Sequence, residues 1–172
     1  MEHINNGEIF NIGDIEFIKV TEADGVVTAV TKDTVFDAVF GKNNNFAKSN
    51  ILKRLTKEFL PKITAIVGEE NVVEFDTDLT TLDGVKTFGK VTSKISFPTL
   101  DFYREHTDIF DKHKVNDWWW LATAWSAKPH YGSSCVLCVS PSGDIGDGDY
   151  CHDNGVRPLL RFSSSIFVSC DE

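Results

Sequence analysis

Cysteine is absent from this chain until Cys135 and then occurs four times, at Cys135, Cys138, Cys151 and Cys170. A disulfide-stapled secreted fold spreads its cysteines along the sequence, so this clustering argues against such a framework and for free thiols. Positive charge is also scarce: 17 Lys and Arg stand against 26 Asp and Glu, a formal net charge of -9, and no local cluster of bases offsets it. Without a basic footprint there is nothing to track a phosphate backbone, which argues against nucleic acid as a partner. No apolar run approaches the ~20 residues of a membrane span. The opening "MEHINNGEIF" has acids where a secretory signal carries a basic end and an apolar stretch, so neither membrane insertion nor signal-peptide export is expected. A Gly-rich phosphate loop and a nucleophile elbow are both missing.

What is present suits one core. The 172 residues are 41% hydrophobic, and neither an internal repeat nor a Pro- or Ser-rich linker divides them, so the expectation is one domain over residues 1–172. "EIFNIGDIEFIKVTEADGVVTAVTK" reads as strands around a turn at "EADG". "DTVFDAVFGK" reads as a short amphipathic turn of helix before an Asn-rich loop. In "SNILKRLTKEFLPK", Ile51, Leu52, Leu55 and Phe59 recur at helical spacing behind a Ser49 or Asn50 cap, with Pro61 as the stop. Residues 72–97 read as strand and turn, and "FPTLDFYREHTDIF" as a second helix capped by Thr99. After Trp118 only short runs appear. The pattern is α+β, with two early helices and a loop-rich antiparallel sheet.

"DWWWLATAW" holds all four tryptophans. Period-two geometry sends Trp118 and Trp120 to one face and Trp119 to the other, so core packing is expected for this run. Trp125, past the strand, is the one expected at a binding surface. In "GVRPLLRF", Arg157 is expected to reach back to a carboxylate or carbonyl as a structural residue, with Pro158 at an edge or bulge. "CVLC" has zinc-knuckle spacing that Cys151 and His152 could complete, yet on a strand its two thiols would point to opposite faces. "DIGDGDYCHD" offers Asp144, Asp147, Asp149 and Asp153 to a hard cation but lacks the glutamate and spacing of a hand-type calcium loop. No metal and no cofactor is expected. His130, His152 and the cysteines could pair as base and nucleophile, but no thiol is placed at a helix start, where its pKa would fall.

These residues carry a resemblance. "DWWWLATA…VSPSGDIGDG…NGVRPLLRF" resembles a domain family of gut bacteria and their phages whose members read WWLRSP, a polar loop, a V-x-x-D-G-x-V strand and GVRPAL. "IGDIEFIKV", "ILKRLTKEFLPK" and "ISFPTLDFYREH" extend it over nearly the whole chain. Ala122, Thr123 and Ala124 stand where the pattern has Arg-Ser-Pro, so no role of that arginine carries over. The resemblance implies a C-type lectin-like fold, similar to the variable proteins of diversity-generating retroelements. In such systems randomised adenines turn AAC or AAT codons into codons for many residues, but not for Lys, Glu, Gln, Met or Trp. Among the residues from Ser126 to Asp153 only Lys128 belongs to that excluded set. A plain turn-rich loop would share much of this composition.

The resemblance implies a non-enzymatic receptor-recognition protein, phage or prophage encoded, cytoplasmic or virion-associated, with a variable region from about Trp119 to Leu160. Its partner would be a protein or glycan ligand on a cell surface, and an oligomer stays open. The expected contact surface comprises Trp125, Ser126, Lys128, His130, Tyr131, Ser133, Ser134, Cys135, Asp147, Asp149, Tyr150, Cys151, His152 and Asp153. Tyr gives rigid contact area, and Ser and Asp give adaptable hydrogen bonds. Two other readings compete: a metal- or thiol-dependent enzyme using Cys135, Cys138, Cys151 and His152, and a structural phage particle component.

Overall fold

A computed structural model describes residues 3–129 and 132–167. In chain order the elements are β1 (Ile9–Ile12), β2 (Ile15–Ala23), β3 (Val26–Thr31), β4 (Phe36–Val39), α1 (Asn50–Arg54), α2 (Leu60–Val67), β5 (Phe75–Asp78) and β6 (Lys90–Ser93). Then follow β7 (Ile95–Ser96), α3 (Leu100–Glu105), α4 (Thr107–Lys112), β8 (Trp119–Ala124), β9 (Cys135–Val139), β10 (Ile145–Asp149), β11 (Asp153–Val156) and β12 (Leu159–Ser163). The fold is α+β. One five-stranded sheet runs β1-β2-β3-β12-β7, a second runs β10-β9-β8-β11-β4, and β5 and β6 form a separate hairpin.

The first sheet is antiparallel throughout, and its β2–β3 turn passes through Asp24 and Gly25 at φ 53° and 75°. Two consecutive left-handed residues are what a two-residue hairpin requires, so "EADG" closes as its composition predicts. In the second sheet β8 and β11 run parallel and the other neighbours antiparallel.

Three elements differ from the sequence reading. "DTVFDAVF" is a strand, β4, in which Phe36 and Ala38 are half-buried while Asp37 and Val39 are exposed, and β11 satisfies its backbone. A run this short carries both periodicities, and pairing with β11 decides between them. Pro61 does not end its helix, because a π-helical turn over Leu55–Phe59 precedes it and α2 continues to Val67. The wider turn, with Leu60 N donating to Leu55 O, spares the backbone a bond that proline cannot donate. The second helix is broken at His106 into α3 and α4, while Ser49 and Thr99 cap α1 and α3 as read.

Both faces of the second sheet are covered at its centre. Trp120, Ala122, Val136 and Cys138 join a large cluster that includes Phe17, Phe40, Phe97 and Phe162. Trp119, Leu121, Leu137 and Val139 join another with Ile18, Val20, Tyr103 and Phe110. Trp119 and Trp120 thus diverge as the alternation requires. Trp118 departs from the core expectation: it is 43% exposed.

Arg157 and Pro158 lie where the chain passes from β11 in the second sheet to β12 in the first. Arg157 is 1% exposed; its Nε donates to Thr31 O at 2.8 Å and its Nη2 to His113 O at 3.3 Å. The guanidinium carbon sits 4.9 Å from the Trp119 ring centre and 5.3 Å from that of Phe110. Burial lowers its pKa to about 10, so the buried group keeps its charge at neutral pH. The expected structural arginine is found, bonded to carbonyls. Replacing it by Met keeps the bulk but orphans both carbonyls. Arg157→Met is therefore expected to cost about 3 kcal/mol or more in urea unfolding; a loss within experimental error would refute this anchoring role.

Candidate functional site

The proposed contact residues gather at one end of the second sheet, where β9, β10 and β11 meet the loop that follows β8. Register brings Asp149 opposite Cys135 and Asp147 opposite Leu137, while Asp153 pairs with Val39 of β4. Trp125 is 41% exposed, and Lys128, Ser133, Asp147, Cys151, His152 and Asp153 are also exposed. Ser134, Cys135, Asp149 and Tyr150 are half-buried. His130 and Tyr131 lie outside the described residues.

Two assignments change. Ser126 is 1% exposed and cannot meet a ligand as displayed: its hydroxyl donates to Asp83 Oδ2 at 2.8 Å and accepts from Lys128 N at 3.0 Å. A serine in a polar stretch reads as solvated, and only the distant Asp83 reveals it as a fastener. Tyr150 packs its ring against the larger cluster, so it is a shared residue of core and surface.

Backbone bonds hold much of these loops, beside the Ser126 contacts and Asp149, whose carboxylate accepts from Cys151 N at 3.1 Å. Trp125 N donates to Cys135 O, Cys135 N to Gly132 O, and Tyr150 N to Ser134 O. Phe40 N and Gly41 N both donate to Tyr150 O. Beneath them Asn44, 3% exposed, points its amide at three loop carbonyls: Ser126 O at 2.8 Å, Cys135 O at 3.3 Å and Gly132 O at 3.5 Å. Tyr103 fastens the β9–β10 turn by donating to Gly143 O at 2.6 Å. Gly132, at φ +58°, lies so close under Trp125 that a Cβ would fall 2.3 Å from the indole Cδ1. The sequence reading passed over Asn44, whose only signal was the Asn-rich loop "GKNNNF".

Glycines in β10 answer to Trp118, just before β8, and to Trp120 within it. A Cβ on Gly146 would stand 2.9 Å from Trp118 Cζ3, and one on Gly148 would stand 3.3 Å from Trp120 Cη2. On that face the indoles take the place of side chains. Asp147 and Asp149 project from the other.

The thiols are not primed for nucleophilic work. Burial pushes Cys138 up to about 12. Burial also raises Cys135, and hydrogen bonding with Asp149 raises Cys151. All three are free, and the fourth, Cys170, lies outside the described residues. Cys138 is buried in the core while Cys135 borders the surface, so "CVLC" does not present two thiols to one ion. Among the described residues no group of three or more His, Cys, Asp or Glu side chains is arranged to hold a metal.

A carboxylate pair that the sequence reading did not single out borders β11. Burial first, then hydrogen bonding and repulsion from Asp37, raises the Asp117 pKa above its ordinary 3.8. Asp117 packs beside Gly155, where a Cβ would fall 3.0 Å from Oδ2. Compared with known protein families, curated proteins and solved structures, the chain gave no match.

Two outcomes follow. Asn44→Ala is expected to lower stability by about 1–3 kcal/mol, the cost of stranding buried carbonyls. It should also speed amide exchange from Trp125 to Cys135, and unchanged exchange there would remove Asn44 as the fastener. For Asp117, a raised folded pKa contributes stability that is complete below about pH 3.8 and is lost as the pH rises through the folded value. Asp117→Asn should therefore be more stable than the parent at neutral pH, with the advantage shrinking in acid; a less stable variant at neutral pH would contradict the raised pKa of Asp117.

Proposed function

We propose that this chain is a non-enzymatic recognition protein whose contact surface is the loop-bearing end of the second sheet, of the kind found in the variable proteins of diversity-generating retroelements. The observation that carries the reading is Asn44. It holds the recognition loop by three backbone carbonyls, and a carbonyl is the same whatever side chain its residue bears. The shape of the β8–β9 loop is thereby uncoupled from the identity of Lys128 and Ser133, and the β10–β11 turn is tied to the body by the Tyr150 carbonyl, which accepts from Phe40 N and Gly41 N. A surface can be chosen for binding only when its side chains do not also hold the core.

The lectin-like arrangement belongs to the same proposal. Its support is that β12, near the end of the chain, lies between β3 and β7 in the first sheet, leaving the second sheet to carry the long loops. The contact surface on this reading excludes Ser126 and uses only the outer edge of Tyr150. An exposed indole at Trp125, set on Gly132, supplies a rigid aromatic of the type enriched in binding hot spots. The ligand class is a protein or glycan on a cell surface.

A display library randomised at Lys128, Ser133, Asp147, His152 and Asp153 tests this. Most clones are expected to resist protease as the parent does, each substitution changing stability by about 0.5 kcal/mol or less, and panning should recover binders to unrelated protein and glycan targets. Collapse of protease resistance across the library would show that these side chains hold the fold. Beside the gene, the reading expects a near-copy of the DNA encoding Trp119 to Leu160, differing at adenines, together with a reverse transcriptase.

A further inference from the structure

Between the β5–β6 hairpin, α3 and the strands β7, β8 and β12 lies a cleft of about 450 Å³, the size of many small-molecule sites. It is separate from the proposed contact surface. The turn from Thr81 to Val85 stands between them, with Thr81 lining the cleft and Asp83 holding Ser126 on the other side.

Arg161 lines this cleft. In β12 its neighbours Leu160 and Phe162 enter the larger core cluster, so alternation places Arg161 on the opposite face of the strand. Its guanidinium carbon lies 4.7 Å from the centre of the Phe75 ring, a stacking that fixes the plane of the group. Its Nε is the one buried side-chain nitrogen or oxygen among the described residues that has no hydrogen-bond partner. The side chain forms no ion pair among them either. A desolvated donor without an acceptor is costly, and a planar, oriented guanidinium is suited to accept a carboxylate through two parallel bonds.

The remaining lining narrows the ligand. Thr77 donates to Ser96 at 3.0 Å and Ser96 to Phe97 O at 3.2 Å, so these deep hydroxyls are already engaged with one another. That leaves little for a polyol to bond. Phe97, Leu100 and Leu159 are buried apolar residues of the lining. The rim carries the exposed carboxylates of Asp78, Asp101 and Glu105 against one exposed cation, Arg104, which is paired with Asp101. Such a rim repels a dianion such as phosphate but attracts an ammonium group.

We propose that this cleft binds a small zwitterion of the amino-acid class, its carboxylate on Arg161, its apolar side chain against Phe97, Leu100 and Leu159, and its ammonium group toward Glu105. This site is independent of the recognition surface, and either can be present without the other.

Titration of the ¹⁵N-labelled chain with L-leucine, isovalerate and isoamylamine, reading the Arg161 Nε–H resonance, tests the assignment. L-leucine is expected to shift that resonance saturably, isovalerate to do so more weakly, and isoamylamine to leave it in place. Arg161→Gln should weaken L-leucine binding about tenfold or more, as expected for loss of a charge-assisted contact. Glu105→Gln should weaken L-leucine but not isovalerate. An Arg161 resonance that L-leucine leaves unmoved up to its solubility limit overturns the proposal, as does isovalerate binding as tightly as L-leucine. If Arg161→Gln fails to fold, the parent titration decides by itself.

Discussion

The structure turns on a buried cation, Arg157, placed where the chain changes sheets. Arg157 follows the last residue of β11 and, with Pro158, precedes β12. Its bond to Thr31 O reaches the end of β3 in the first sheet, its bond to His113 O reaches the segment after α4, and its ring contact reaches Trp119 in the second sheet. Three bodies that share no continuous backbone pairing are thereby held at one point. Among the described residues no carboxylate pairs directly with the guanidinium; carbonyl dipoles and aromatic faces compensate it instead. Such an arrangement is demanding in geometry, because each partner must be in place before the charge is compensated. The core on either side can then be ordinary: aliphatic and aromatic residues packed to both faces of β8 and β9.

That anchoring makes the loops separable from the body. With β8 and β9 buried on both faces and β11 tied off at Arg157, what the loops between them chiefly need is to have their carbonyls satisfied. Asn44 and the Tyr103 phenol do this from outside the loops. The lever is backbone chemistry, the one part of a residue that substitution leaves alone.

How far this was legible in the sequence depends on where the deciding interaction lay. The β2–β3 hairpin, the Ser49 and Thr99 caps, the divergence of Trp119 and Trp120 and the structural role of Arg157 were readable, because each is set by local periodicity or by a residue whose chemistry admits few roles. β4 and the passage through Pro61 were not. The first depends on pairing with β11, more than a hundred positions later, and the second on a π turn that leaves no compositional mark. At the site, the exposure of Lys128, Ser133, Asp147, His152 and Asp153 agreed with composition, whereas Ser126 and Asn44 did not betray themselves. Both act through partners distant in sequence, Asp83 for one and the loop carbonyls for the other. Arg161 escaped notice for a related reason: beside Arg157 in "GVRPLLRF" it reads as a second copy of the same device, and only burial shows that one is bonded and the other is not.

The segment from Ser126 to Asp153 is thus neither wholly free nor wholly structural, and the division bears on how its composition should be read. Gly146 is small because Trp118 occupies the space its side chain would need, and Gly148 is closely faced by Asn154 and Trp120. Gly132 serves Trp125 in the same way, and Ser126, Val136, Leu137, Cys138 and Val139 are buried. Their identities follow from packing and say nothing about a randomising mechanism. Of the proposed contact residues that are described, the exposed ones form a smaller set: Lys128, Ser133, Asp147, Cys151, His152 and Asp153, with the indole of Trp125 beside them. If the surface is diversified, variation should fall on this set and spare the glycines. A mechanism that also altered Gly146 would drive a Cβ into the Trp118 indole, so the tryptophan run leading into β8 limits which positions of β10 can be varied. The conspicuous alternation of "IGDGD" then has a physical source on each face: tryptophan on one, solvent on the other.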